Sequence, residues 1–331
     1  MDSLTQIVLG IAVAELCAGK ELKNKTFLYG AILGTMPDLD ILIGLLLDPV
    51  NAVMIHRGIS HSLLLFVIIS PLFGAVISKI ENKKINLFKA ASMVFWCLFT
   101  HVLLDMFTSW GTQILWPIEK RFALKTIFVI DPLYTIPLLI TLVLTWKASN
   151  ILLRKKYIKR GLIISTGYLA LTCLVKLYVL NQFEKALQKQ GIAYSEIIVK
   201  PTAFNIILWN ANVATPDAYL LGDYSIFDTK TILFKKYSRN SHLEATLKDN
   251  PDFEKLKKIS EGWYIVSKNK GTLYFNDLRF GLLNDSPEKP QFAFSYQFIP
   301  TDYGLKAIET PKKKRDGKLL LQKTFIRLQG N

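Results

Sequence analysis

LFKAASMVFWCLFTHVLLDMF, Leu87 to Phe107, is the stretch whose reading decides the fold. About 20 mostly apolar residues suffice for a helix to cross a bilayer, and this run supplies them. Apart from Lys89 near its start, its charge-bearing residues are His101 and Asp105, both near its end. They stand at i and i+4, so a helix brings the two side chains together on one face. Ionisable groups in hydrocarbon are costly and usually functional. One segment therefore reads as both a membrane span and part of a site.

Working outward, four further stretches have similar length and character: Phe27 to Leu47, His61 to Ser78, Ile127 to Trp146 and Gly161 to Leu180. A shorter one, Leu4 to Ala18, can span, re-enter or lie against the others. It lacks a basic leading region and contains Glu15, so it reads as mature protein rather than a signal peptide. Asp131, Pro132 and Pro137 interrupt the segment from Ile127 and make its outer end irregular.

Composition agrees. Only 20% of the 331 residues are charged, and the first 180 hold 10 of the 26 acids and 18 of the 41 bases. This uneven division excludes a uniform soluble globule and an intrinsically disordered chain. Cys17, Cys97 and Cys173 all fall in apolar segments, which excludes a disulfide scaffold and a Cys-type zinc site. The expected architecture is an α-helical polytopic membrane domain of five to six helices, residues 1–180. A small extracytoplasmic α+β domain, mainly antiparallel β, follows at residues 181–331.

Lys and Arg counts orient the chain. One set of alternate loops carries thirteen, from Lys20 through Lys79 to Arg160, and the opposite set carries four, Arg57, Lys120, Arg121 and Lys125. The first set belongs in the cytoplasm, which sends the segment ending at Leu180 outward. Much of the net charge of +15 is then topological marking rather than a nucleic-acid signature.

Seven candidate ligands gather near the outer side under this topology. Asp38 and Asp40 lie in the second segment after Pro37, which suggests a broken helix. His56 and His61 occupy the outer loop with Arg57 and Ser60; about 140° apart on a regular helix, they converge only if the chain turns, as Gly58 permits. His101 and Asp105 follow, and Asp131 lies near the outer end of the fifth segment. Singly, each reads as a packed histidine or an interfacial carboxylate. Imidazole with carboxylate suits zinc, manganese or iron rather than calcium, as one or two divalent ions, zinc foremost. Arg57, beside two of the candidates, is placed to hold an anionic oxygen. His242 stands alone in a polar stretch and reads as a surface residue.

At these residues the chain resembles the YdjM/YbcI-type family of bacterial inner-membrane proteins, described as membrane-bound metal-dependent hydrolases. The stretches that carry the resemblance are MDSLTQIVLG at Met1 to Gly10, GTMPDLD at Gly34 to Asp40, HRGISHSLL at His56 to Leu64, HVLLDMFTSWGTQ at His101 to Gln113, and DPLYT at Asp131 to Thr135. The resemblance implies a helical membrane domain with a metal centre whose ligands are Asp38, Asp40, His56, His61, His101 and Asp105. Some members carry His where this chain has Gln6, which can offer a metal only its carbonyl oxygen.

The reading is a membrane-embedded metal-dependent hydrolase, acting on a lipid or lipid-linked phosphoester at the outer face of the cytoplasmic membrane. Asp38 or Asp40 serves as general base and Arg57 neutralises developing charge. An intramembrane metalloprotease would present His-Glu-x-x-His, and His56-Arg-Gly-Ile-Ser-His61 has other spacing and no Glu. A metal transporter needs ligands through the whole bilayer, and none are evident on the cytoplasmic side. A non-catalytic regulator with a structural metal site is the remaining alternative.

Beyond Gln182 the periodicity changes. An amphipathic helix continues to Gln190, and β-rich runs follow at Phe204 to Val213, Ala218 to Phe227, Gly262 to Ser267, Thr272 to Phe275 and Gln291 to Ile299. Phe292, Phe294, Tyr296 and Phe298 share one strand face, and a helix is expected near Asp249 to Ser260. The basic run Lys312 to Arg315 reads as a solvated loop or a headgroup contact.

Overall fold

The structure is a computed structural model that describes residues 1–282, 290–302, 304–311 and 317–331. Helix α1 (Ser3–Leu22) starts at Asp2, whose carboxylate accepts the Thr5 N–H. Helix α2 (Lys25–Thr35) runs back along it, and the two backbones touch where Gly10 meets Gly30 and Gly34. A Cβ at any of these glycines would collide with the facing backbone, so the contact requires them. A 3-10 turn at Met36–Leu39, with Pro37 in its first positions, breaks the helix before α3 (Asp40–Gly44). Next come α4 (Pro49–Ile55), a 3-10 turn at Ile59–His61, α5 (Leu63–Ile80), α6 (Leu87–Met106), α7 (Pro132–Lys147) and α8 (Ile151–Lys189).

Among the described residues, five helices are long and apolar enough to cross a membrane: α1, α2 with its continuation to Gly44, α5, α6 and α8. The segment expected to be short at Leu4 to Ala18 is thus a helix of 20 residues. The one expected from Ile127 begins as helix only at Pro132, because Asp131 caps it, and α7 has 16 residues. The last span and the amphipathic stretch after it form one helix of 39 residues. At about 1.5 Å per residue α8 measures roughly 58 Å, nearly twice the hydrocarbon thickness. The bundle core includes Val8, Ala12, Leu33, Met93, Leu98 and Val102. Leu64, Val67, Leu72, Ile140, Ile163 and Leu174 are exposed. An apolar outer surface of this kind requires lipid around it.

Contacts divide the chain into two units, residues 1–43, 55–174 and 203–205 against residues 44–54, 175–202 and 206–331. The division therefore falls inside α8 and exchanges two short segments between the halves. The second unit holds two antiparallel four-stranded meanders. The first comprises β1 (Glu196–Pro201), β2 (Leu208–Ala214), β3 (Ala218–Ser225) and β4 (Phe234–Ser238), packed on Val179, Phe183 and Leu187 of α8. Helices α9 (Ser241–Ala245) and α10 (Pro251–Ile259) lead into β5 (Tyr264–Asn269), β6 (Thr272–Leu282), β7 (Phe292–Thr301) and β8 (Gly304–Glu309), followed by α11 (Gly317–Leu328). In β7, Phe292, Tyr296 and Phe298 are buried as the alternation predicts. His242 is exposed on α9, and the run Lys312 to Arg315 lies outside the described residues.

Helix α4 is built into this second unit. Val50 is fully buried, and Val53 and Met54 pack with it against Phe253, Leu256 and Phe275. The same helix lies in sequence between Asp40 and His56.

Candidate metal centre

Three local structures bring four side chains together. The turn after α2 carries Asp38, the Ile59–His61 turn carries His61, and α6 carries His101 and Asp105 one helical turn apart. One ligand atom from each lies within 4.8 Å of all the others. His61 Nε2 is 3.4 Å from Asp38 Oδ1 and 3.5 Å from Asp105 Oδ2. His101 Nε2 is 3.6 Å and 3.8 Å from the same two oxygens. His61, His101 and Asp105 are buried, and Asp38 is partly so.

The hydrogen bonds around the group fix what those atoms offer. His101 Nδ1 lies 2.6 Å from the Gly34 carbonyl, which only accepts, so the ring donates there. Its Nε2 then holds a lone pair. The Ser60 hydroxyl donates to Asp40 Oδ2 at 2.6 Å and stands 2.9 Å from His61 Nδ1. Ser60 Oγ therefore accepts from His61, whose Nε2 also holds a lone pair. Neither Nε2 has a hydrogen-bond partner, nor has Asp38 Oδ1 or Asp105 Oδ2. Two imidazolium ions pairing with the carboxylates would draw to about 2.7–2.9 Å, well inside the separations found. Four buried acceptors facing one another are mutually repulsive, and a cation resolves them. Donors about 2.0–2.2 Å from a shared tetrahedral centre stand roughly 3.3–3.6 Å apart, close to these distances. The donor set fits a divalent metal ion.

Arg57 adjoins the group in a left-handed backbone conformation, φ 62°. Its guanidinium is 3.0 Å from Asp105 Oδ2 and 3.4 Å from the Thr108 hydroxyl, while its buried Nε has no partner. Asp105 Oδ1 accepts from the Gln6 amide at 3.0 Å and contacts the Met1 amino group. Gln6 thus touches the group through Asp105.

The other sequence candidates fall outside the four. Asp40 accepts from His56 Nδ1 at 2.8 Å, from the Arg57 N–H at 2.9 Å and from Ser60, so its oxygens hold the 56–60 segment. His56 donates through Nδ1 and leaves Nε2 without a partner among the described residues. Its ring centre lies 6.1 Å from that of His61 and 6.4 Å from that of Trp110. Asp131 is committed elsewhere, accepting from the Leu133 and Tyr134 N–H groups and from the Tyr168 hydroxyl. A ligand role is replaced by helix capping, which the Asp131-Pro132 order signals in hindsight.

Sequence reasoning passed over the orienting role of the Gly34 carbonyl and the Ser60 relay. It also passed over a polar network far along α1. There Glu15 is buried with Arg154 at 2.7 and 2.9 Å and accepts from Thr26, while Arg154 also reaches Asn24. Every partner is satisfied, so this network reads as packing between helices rather than a second ligand set.

A polytopic helical membrane protein with a buried Asp-His-His-Asp group between its helices is the class that fold and site define. The chain belongs to the YdjM inner membrane protein family, whose model matches residues 1–183. No curated protein and no solved structure matches it.

Proposed function

We propose that this protein is a membrane-embedded metal-dependent hydrolase, cleaving a lipid or lipid-linked phosphoester at the outer face of the bacterial cytoplasmic membrane. The observation that carries the reading is the convergence of four buried acceptor atoms from Asp38, His61, His101 and Asp105, of which only Asp105 Oδ2 has a cationic neighbour, Arg57 at 3.0 Å. Zinc suits two imidazoles and two carboxylates, and manganese is the next candidate. A bound ion supplies Lewis acidity and a more acidic water.

The surrounding residues then divide the remaining work. Arg57, with an unpartnered Nε, holds a phosphoryl oxygen and favours a phosphoester over an amide. With the Asp40 oxygens engaged, the proton-transfer role passes from the aspartates to His56. Asp40 fixes its Nδ1–H and Nε2 remains open to a substrate or water. The loop charges support placing the C-terminal unit outside the cytoplasm. A cysteine introduced at Ser195, in a variant lacking the three native cysteines, should react with a membrane-impermeant maleimide in intact spheroplasts. Labelling only after lysis would reverse the orientation.

The hydrolase reading is tested with purified protein, phospholipid and polyprenyl phosphate substrates, and zinc, manganese, magnesium or cobalt. Release of inorganic phosphate from polyprenyl phosphate, or of the phosphorylated headgroup from phospholipid, should fall at least about 100-fold in His56→Ala with metal content unchanged. The second reading, a regulator with a structural metal, is favoured by the donor count, since four protein donors complete a tetrahedral shell. Full metal occupancy without turnover of any of these substrates supports it over the enzyme.

A further inference from the structure

At the opposite end of the α5–α6 hairpin from His61 is a cleft of about 660 Å³ lined by Ala75, Ser78, Lys79, Asn82, Lys83 and Leu87. Its volume is in the range of small-ligand sites, about 300–1,000 Å³. It sits where α5 ends and α6 begins, two helices apolar enough to cross a membrane, in a loop whose Lys residues suit the headgroup region.

The bases at this end of the helices are paired in part, and Lys84, next to the cleft, has no carboxylate partner among the described residues. Lys25 pairs with Glu81 at 2.6 Å, Lys89 with Glu21 at 2.7 Å, and Arg154 with Glu15 at 2.7 Å. Lys79 and Lys83, on the cleft, have no carboxylate partner among the described residues. The Ser78 hydroxyl is spent on the Ile85 carbonyl, so the free donors are the two ammoniums and the Asn82 amide. The tip also holds two successive non-glycine residues in the left-handed region, Asn82 at φ 49° and Lys83 at φ 61°. This turn places Asn82 and Lys83 on the cleft.

We propose that this cleft binds the headgroup of an anionic phospholipid. The phosphate lies between Lys79 and Lys83, and an acyl chain follows Ala75 and the exposed Leu72 and Val76 of α5. The shared chemistry is that of a phosphate anion. The apolar wall continuous with a lipid-facing helix selects a lipid over a free anion. The site is independent of the metal centre and of any reaction there.

The test uses the full chain in mild detergent, with bound lipid counted by native mass spectrometry. Phosphatidylglycerol and phosphatidylcholine of identical acyl chains are compared, with inorganic phosphate and glycerol phosphate as soluble competitors. Phosphatidylglycerol should be retained on the order of tenfold better than phosphatidylcholine. Lys79→Gln/Lys83→Gln should remove that preference, and Lys20→Gln/Lys23→Gln, an equal charge loss elsewhere, should leave it. Lys79→Arg/Lys83→Arg should restore it if the glutamine variant unfolds. A preference that survives Lys79→Gln/Lys83→Gln, or falls equally in Lys20→Gln/Lys23→Gln, overturns the site. Displacement of the lipid by millimolar phosphate overturns its assignment to a lipid.

Discussion

The hydroxyl of Ser60 bridges two residues of the site, donating to Asp40 and accepting from His61 Nδ1. That second contact decides which ring nitrogen of His61 faces Asp38 and Asp105. Partners of this kind typically contribute 10- to 100-fold to metal affinity, and about that loss is expected for Ser60→Ala. Competition with a fluorescent chelator measures it; an unchanged dissociation constant would remove Ser60 from the relay. The sequence showed Ser60 in the outer loop but could not show the relay, because it depends on Asp40, twenty positions earlier, lying against the same turn. His101 and Asp105 were legible for the opposite reason. Their partnership is set by helical spacing alone. Asp38 and Asp40 were harder. Both were named, but only the fold shows that the turn at Pro37 sends Asp38 to the histidines and Asp40 to the 56–60 segment.

At the scale of elements, α4 links the two units through the chain itself. Asp48 caps it, accepting from the Val50 and Asn51 N–H groups, and Val50 lies in the core formed with α10 and the second sheet. Met54, on the same core, lies two positions before His56. Val50→Asp would place an unpaired charge in that core and release the helix. Faster amide hydrogen exchange at residues 55–61 is the expected outcome, with a weaker metal site beside it. Unchanged exchange there would mean the 56–60 segment is held by Asp40 alone. Nothing in the sequence pattern signalled this docking, since Pro49 to Ile55 is too short to show a clear apolar stripe. Of the edge strands, β5 was legible, whereas β4 was missed for a related reason. In β4, Phe-Lys-Lys-Tyr-Ser presents charge where an edge needs protection, which erases the alternation that revealed β7.

For the whole molecule, length and charge division were enough to predict a helical membrane half and a β-rich half. The continuation of the last span to Gln190 was legible, but the start of α8 at Ile151 was not, because Arg154 to Arg160 reads locally as a charged loop. Among the described residues, the first unit holds one candidate metal centre, supported from α1, α2, α6 and the turn before α5. Metal content of the purified chain tests this most directly, measured by mass spectrometry after extensive dialysis. A tightly held divalent ion is expected in the wild type, lost in His61→Ala and in His101→Ala, and retained in Asp131→Asn. A wild-type chain that binds no divalent metal, or a His61→Ala/His101→Ala chain that binds it equally well, would contradict it.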